Sequence, residues 1–121
     1  NTKHTLKILG FILAFAWTMT AQAQIVVDNA TDEHRGDCSL RDAITVSSAN
    51  GTITFDPTVT NITLTLGELV INKNLTITGS TGTVVIDGNN ASRAIQISTG
   101  NNTVILNYLT LTQGNGLATA G

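Results

Sequence analysis

The sequence predicts an all-β fold, a right-handed parallel β-helix capped at its amino-terminal end by one α-helix, and three observations carry that prediction. Apolar i, i+2 pairs, the spacing of one strand face, recur twenty residues apart as Leu64/Leu66, Val84/Ile86 and Val104/Leu106. A second series, Leu75/Ile77 and Ile95/Ile97, shares that spacing, and a third returns after forty residues as Leu69/Ile71 and Leu109/Leu111. Self-similarity at such a period is the signature of a stacked repeat. Gly-, Asn- and Asp-bearing corners follow one another too closely to leave room for the crossover helices of a βαβ fold. An antiparallel sandwich would also show short strands, but it gives no reason for independent series to share one spacing.

The composition agrees. The chain has 121 residues, of which 41% are hydrophobic and 12% charged, a balance that favours a packed core over disorder. Aromatic residues make up 4% and there is one proline, while Thr, Asn, Val, Ile and Gly suit many short strands joined by tight turns. The formal net charge is −2, and from Gln24 onward four basic residues face eight acidic ones, a net −4. That sign argues against a phosphate-binding footprint, so no nucleic-acid partner is expected.

Residues 1–23 have the three parts of a secretory signal peptide. Lys3, His4 and Lys7 form the basic start, Ile8 to Trp17 the apolar centre, and Ala21-Gln22-Ala23 an A-x-A cleavage site. The apolar run is shorter than the roughly 20 residues that span a bilayer, so export with cleavage after Ala23 is expected rather than a membrane span. Residues 24–51 are expected to form a first strand, an acidic loop and a capping helix. The strand is Gln24 to Val27, and the loop runs from Asp28 to Asp37. The helix is written in Cys38 to Ser47: Ser39 can cap the first turn, Asp42 completes a capping box three residues later, and Leu40, Ala43, Ile44 and Ser47 share one face. So narrow an apolar face is stable only when docked, and the open end of a solenoid is a surface that needs a lid.

Residues 52–121 are expected to be the first coils of the helix, continuing into further coils. Strands are predicted at Thr52–Phe55, Asn61–Leu66, Leu69–Ile71, Leu75–Thr78, Thr83–Ile86, Ala94–Ser98, Thr103–Leu106 and Leu109–Thr112. With coils of about 20 residues, residues twenty apart stack about 4.8 Å from one another. Leu64, Val84 and Val104 then form one inward column, Leu66, Ile86 and Leu106 another, and Gly67, Asp87 and Asn107 occupy one corner phase.

Cys38-Ser39-Leu40-Arg41-Asp42-Ala43-Ile44, with Asn50 to Phe55, Leu64 to Leu69 and Val85 to Asn89, resembles the amino-terminal region of bacterial CSLREA-type surface proteins, whose repeats are similar to those of polymorphic outer-membrane proteins. Asp42 stands where the motif has Glu, a change that keeps the capping carboxylate. The resemblance covers roughly residues 25 to 116. It implies an exported, right-handed parallel β-helix followed by more repeats and a carboxy-terminal anchoring or sorting module, with no activity attached.

Candidate chemistry is sparse. Asp28, Asp32, Glu33 and Asp37 supply hard oxygen atoms suited to calcium, but they lack the glycine and terminal Glu of a calcium loop, and a solvated acidic loop is the simpler reading. Pectate lyases and polygalacturonases share the expected architecture, so Asp87 and Arg93 are the candidate catalytic pair, weighed against a corner residue and a bracing cation. Cys38, the one cysteine, is expected to be buried beneath the helix as a small hydrophobe. The expected function is an exported, non-catalytic, adhesin-like or structural scaffold presented to an extracellular polysaccharide or cell-surface ligand. The alternative is a polysaccharide-binding or polysaccharide-cleaving β-helix.

Overall fold

A strand of three or four residues can satisfy its backbone polar groups only if it has a neighbour on each side. A computed structural model describes residues 24–33, 38–80, 82–91, 93–98 and 100–115, and there the neighbours are strands of the adjacent coils. The elements in chain order are β1 (Gln24–Val27), α1 (Leu40–Val46), β2 (Gly51–Phe55), β3 (Asn61–Thr63), β4 (Leu69–Ile71), β5 (Leu75–Thr78), β6 (Val84–Asp87), β7 (Ile95–Ile97), β8 (Val104–Asn107) and β9 (Leu109–Thr112). They form three sheets with orders β1-β2-β5-β8, β3-β6-β9 and β4-β7, and every pairing is parallel. From β2 onward the chain visits the three sheets in turn and returns to the first, which is the path of a right-handed parallel β-helix of about three turns. The proposed signal segment 1–23 lies outside the described residues. Among the described residues no helix is long and apolar enough to cross a membrane.

Most strands fall where the pattern puts them, but the coil is longer than twenty residues. Gly51 pairs with Leu75 and Leu75 with Val104, steps of 24 and 29 residues. In the second sheet Asn61 pairs with Val85 and Val84 with Leu109, steps of 24 and 25, and Leu69 pairs with Ile95, a step of 26. Leu64, Val84 and Val104 therefore do not stack: Val84 belongs to β6 in the second sheet and Val104 to β8 in the first. The inward columns are Ile25-Ile53-Ile77-Leu106, Ile62-Ile86-Leu111 and Ile71-Ile97. The corner phase changes likewise, since Asp87 lies between Thr63 and Thr112 while Asn107 lies beside Thr78. Every inward strand residue carries the same i, i+2 signature whichever sheet it joins, so apolar spacing reports strands and leaves the lengths of the corners unread.

The corners differ by whole residues. The corner between β4 and β5 is Asn72 to Asn74, whereas its successor between β7 and β8 spans residues 98–103. The next corner compensates: Tyr108 alone joins β8 to β9, held at φ 55. Its carbonyl accepts the Val84 amide at 3.1 Å and presses on Gly79, where a Cβ would collide with the Tyr108 oxygen. Gly79 is glycine because a backbone passes directly over it. At another corner Asn50, at φ 66, accepts the Asn74 side-chain amide at 3.2 Å, and Asn74 Oδ1 in turn accepts the Thr103 amide at 2.7 Å, so one amide stack links successive coils.

The core is one continuous apolar cluster that runs through the solenoid and includes Leu40, Ala43 and Ile44 of α1. Each fully buried aliphatic side chain in it contributes about 1.5–3 kcal/mol. Leu66 is not part of it. The second sheet's strand ends at Thr63, Leu64 is still buried, and the bend that follows turns Leu66 outward to 56% exposure.

Candidate functional site

Asp32, Arg41, Glu68 and Lys73 meet at the junction between the amino-terminal cap and the first complete coil. α1 begins as its sequence requires: Ser39 Oγ accepts the Asp42 amide at 3.2 Å, and Leu40, Ala43, Ile44 and Ser47 are all buried. The helix end is finished by a residue with no local sequence signal. Lys73 donates to the carbonyls of Ile44 at 3.0 Å, Thr45 at 3.4 Å and Ser47 at 2.7 Å, which satisfies carbonyls that a helix terminus leaves without partners and sets a positive charge on its negative end.

Asp32 and Arg41 fix the other side of the cap. Arg41 Nε donates to Asp32 Oδ1 at 2.7 Å and Nη2 to Oδ2 at 3.0 Å, a two-point pairing. The guanidinium also reaches the carbonyls of Gly67 at 2.6 Å and Glu68 at 3.2 Å, while Asp32 Oδ2 accepts the amides of Thr65 at 2.7 Å and Leu66 at 2.9 Å. The pair therefore satisfies the backbone of the corner between β3 and β4, the first strands of their sheets among the described residues. Burial pushes the Asp32 carboxyl up, but the Arg41 hydrogen bond and the Leu66 and Thr65 amides outweigh it, leaving the carboxyl below its ordinary value.

The remaining candidates separate. Asp32, proposed from the sequence as a calcium ligand, is engaged by Arg41 and two amides. Asp28 and Glu33 lie beside it in the loop, and Asp37 lies outside the described residues. Among the described residues no three His, Cys, Asp or Glu side chains are grouped to hold a metal ion. Asp87 accepts the Asn89 amide at 2.8 Å and so closes its own corner, whereas Arg93 pairs with Glu68 at 3.0 Å across one coil. Cys38 is exposed, against the expectation of burial. Its carbonyl takes the Asp28 and Asn29 amides to close the loop, and the inward face of the helix starts two residues later at Leu40.

No family model, curated protein or solved structure matches the chain. Between α1 and β4 lies a groove of about 380 Å³ lined by Arg41, Ile44, Thr45, Leu66, Glu68, Leu69 and Val70. Arg41 is held by Asp32 and by the Gly67 and Glu68 carbonyls, the Glu68 carboxylate by Arg93, and Ile44, Leu66, Leu69 and Val70 supply the apolar part of the wall. Sequence reasoning missed Arg41, Glu68 and Lys73 as cap residues because the carbonyl contacts that join the cap to the coil span 26 to 29 residues along the chain.

Proposed function

We propose that this chain is an exported, non-catalytic β-helix scaffold of the CSLREA surface-protein type, adhesin-like or structural, whose coils present a surface to an extracellular polysaccharide or cell-surface ligand. The observation that carries the reading is the engagement of its coil and cap charges in architecture: Asp32 with Arg41, Lys73 with the end of α1, Glu68 with Arg93, and Asp87 with its own corner. The Cys38-to-Ile44 string supports it further, since its residues build the lid that such a solenoid needs. Export proceeds through residues 1–23 with cleavage after Ala23, and mass spectrometry of protein recovered outside the producing cell should find a chain beginning at Gln24.

The alternative reading, a polysaccharide-cleaving β-helix, draws on the architecture alone, and fold by itself does not supply an active site. The test is a screen of the purified protein against neutral and acidic polysaccharides, reading both retention and chain cleavage. The scaffold reading expects no cleavage, with or without added calcium. Reproducible release of shortened or unsaturated products, abolished by Asp87→Asn or Arg93→Gln, would establish the alternative.

A further inference from the structure

The Asp32–Arg41 pair stands between two grooves. One lies on the Arg41 side, against β4. The other, of about 460 Å³, lies on the Asp32 side, and its polar lining is Thr31, Asp32, Glu33, Asn61, Thr63 and Thr65. Asn61, Thr63 and Thr65 are alternate residues on an extended chain, exposed on one side while Ile62 and Leu64 between them are buried on the other. They therefore form a row along the floor, with successive side chains roughly 6.6 Å apart. The wall is held in place. Asn29 Oδ1 accepts the Thr31 amide at 3.0 Å and the Thr31 hydroxyl at 2.8 Å, which folds the loop on itself, and Asp32 Oδ2 ties that loop to the Thr65 and Leu66 amides at 2.7 and 2.9 Å. A trough already shaped in this way loses little freedom on binding.

Its hydrogen-bonding capacity is lopsided. A hydroxyl has one proton to give and two lone pairs to accept with. The Thr31 proton is given to Asn29 and the Thr65 proton to the Asp32 carbonyl at 3.3 Å, so both oxygens face the trough as acceptors. The exposed side chains of Asn61 and Thr63 make no hydrogen bond within the chain and bring the free donors. Asp32 is neutralised by Arg41, Glu33 adds negative charge, and among the described residues no Lys or Arg lines the trough.

We infer that this trough binds a segment of neutral, hydroxyl-rich glycan, gripped by Asn61 and Thr63 and donating its own hydroxyls to Thr31 and Thr65. Sugar hydroxyls supply the protons that the acceptors need. A uronate or sulfated chain instead brings further acceptors and negative charge to a site whose one ionic group not paired with Arg41 is a carboxylate. The inference rests on the scaffold reading and names the class of polysaccharide that the scaffold meets.

NMR titration of the secreted chain with oligosaccharides of neutral glucan, mannan and galactan, and with oligogalacturonate as the acidic counterpart, tests it. Amide signals of Thr31, Asn61, Thr63 and Thr65 should move with at least one neutral series and stay still with oligogalacturonate. Thr63→Val and Asn61→Ala should each weaken that binding roughly two- to ten-fold, the worth of one hydrogen bond. Thr76→Val, the same exchange on the outward face of the first sheet, leaves it unaltered. The shift map of the parent chain decides the site even where a variant folds poorly. No movement at these residues with any neutral series, tighter binding of oligogalacturonate, or equal weakening by Thr76→Val overturns the inference. Shifts confined to the groove beside β4 overturn it as well, and leave the scaffold reading untouched. Cleavage of a neutral glycan bound in the trough would instead overturn the scaffold reading alone.

Discussion

Asp32 is the residue on which the cap turns. Its side chain is 1% exposed, it is paired to an Arg41 that is 17% exposed, and its second oxygen holds two backbone amides. Breaking a buried pair from one side leaves the other charge uncompensated, at a cost of about 3–5 kcal/mol. Asp32→Ala is expected to lose that much in denaturant unfolding, and the Asp32→Ala/Arg41→Met double variant to lose less than the sum of its parts; strict additivity would mean that the two are not coupled. The pH dependence follows from the direction of the shift. Asp32 sits below the ordinary carboxylate value of 3.8, so the folded state binds its proton less tightly than the unfolded state. Its contribution is complete above about pH 3.8 and disappears as pH falls through the lower folded value. Asp56, lowered by the amide and hydroxyl of Thr58, adds a term of the same sign. Acid unfolding of Asp32→Asn should be flatter below that point than that of the parent. None of this was legible in the sequence, where Asp32 stood among neighbouring carboxylates and nothing local linked it to Thr65.

At the scale of elements, the helix and the strands were readable and the corners were not. Ser39, Leu40, Ala43, Ile44 and Ser47 announce a capped helix with one buried face, and the structure has it from Leu40 to Val46. Replacing Leu40 and Ile44 by Asp places two charges in the core cluster and should undock the lid, measured as aggregation or loss of soluble protein; unchanged melting would refute the docked helix. Lys73→Met removes the donor that closes the helix end, with an expected loss of about 1–2 kcal/mol in a partly buried setting. The corners escaped because their lengths depend on which backbone passes over which. Gly79 and Gly82 look alike in the sequence, yet a Cβ at Gly79 collides with the Tyr108 carbonyl while one at Gly82 meets nothing within 4 Å. Gly79→Ala is expected to cost about 1–3 kcal/mol, towards the upper end because backbone must move. Gly82→Ala should be neutral or stabilise by up to about 1 kcal/mol through the unfolded state. Equal effects of the two substitutions would remove the argument that Tyr108 sets the compensation between corners.

For the whole molecule, stability should follow the number of neighbours that each coil possesses. A solenoid is held by contacts between adjacent coils, so its terminal units are the weaker ones unless capped. β2, β5, β3 and β6 lie between partners or beneath the cap, and their inward residues Ile53, Ile77, Ile62 and Ile86 are 0–1% exposed. Among the described residues β7, β8 and β9 have a neighbour on one side only. The repeat in the sequence revealed this one-dimensional design without revealing its polarity, because identical apolar pairs mark a buried coil and an exposed one. Hydrogen exchange makes the polarity measurable. Amides of β5 that bond to β8, such as Leu75 and Gly79, should exchange faster than amides that join β5 to β2, since opening the last coil is enough to expose the former. Amides of β2 and β5 that face one another should exchange only with global unfolding and should follow the denaturant-derived stability. Uniform protection from β2 to β9 would mean that the coils unfold as one cooperative unit, and that the α1 cap protects the far end of the solenoid as effectively as its own.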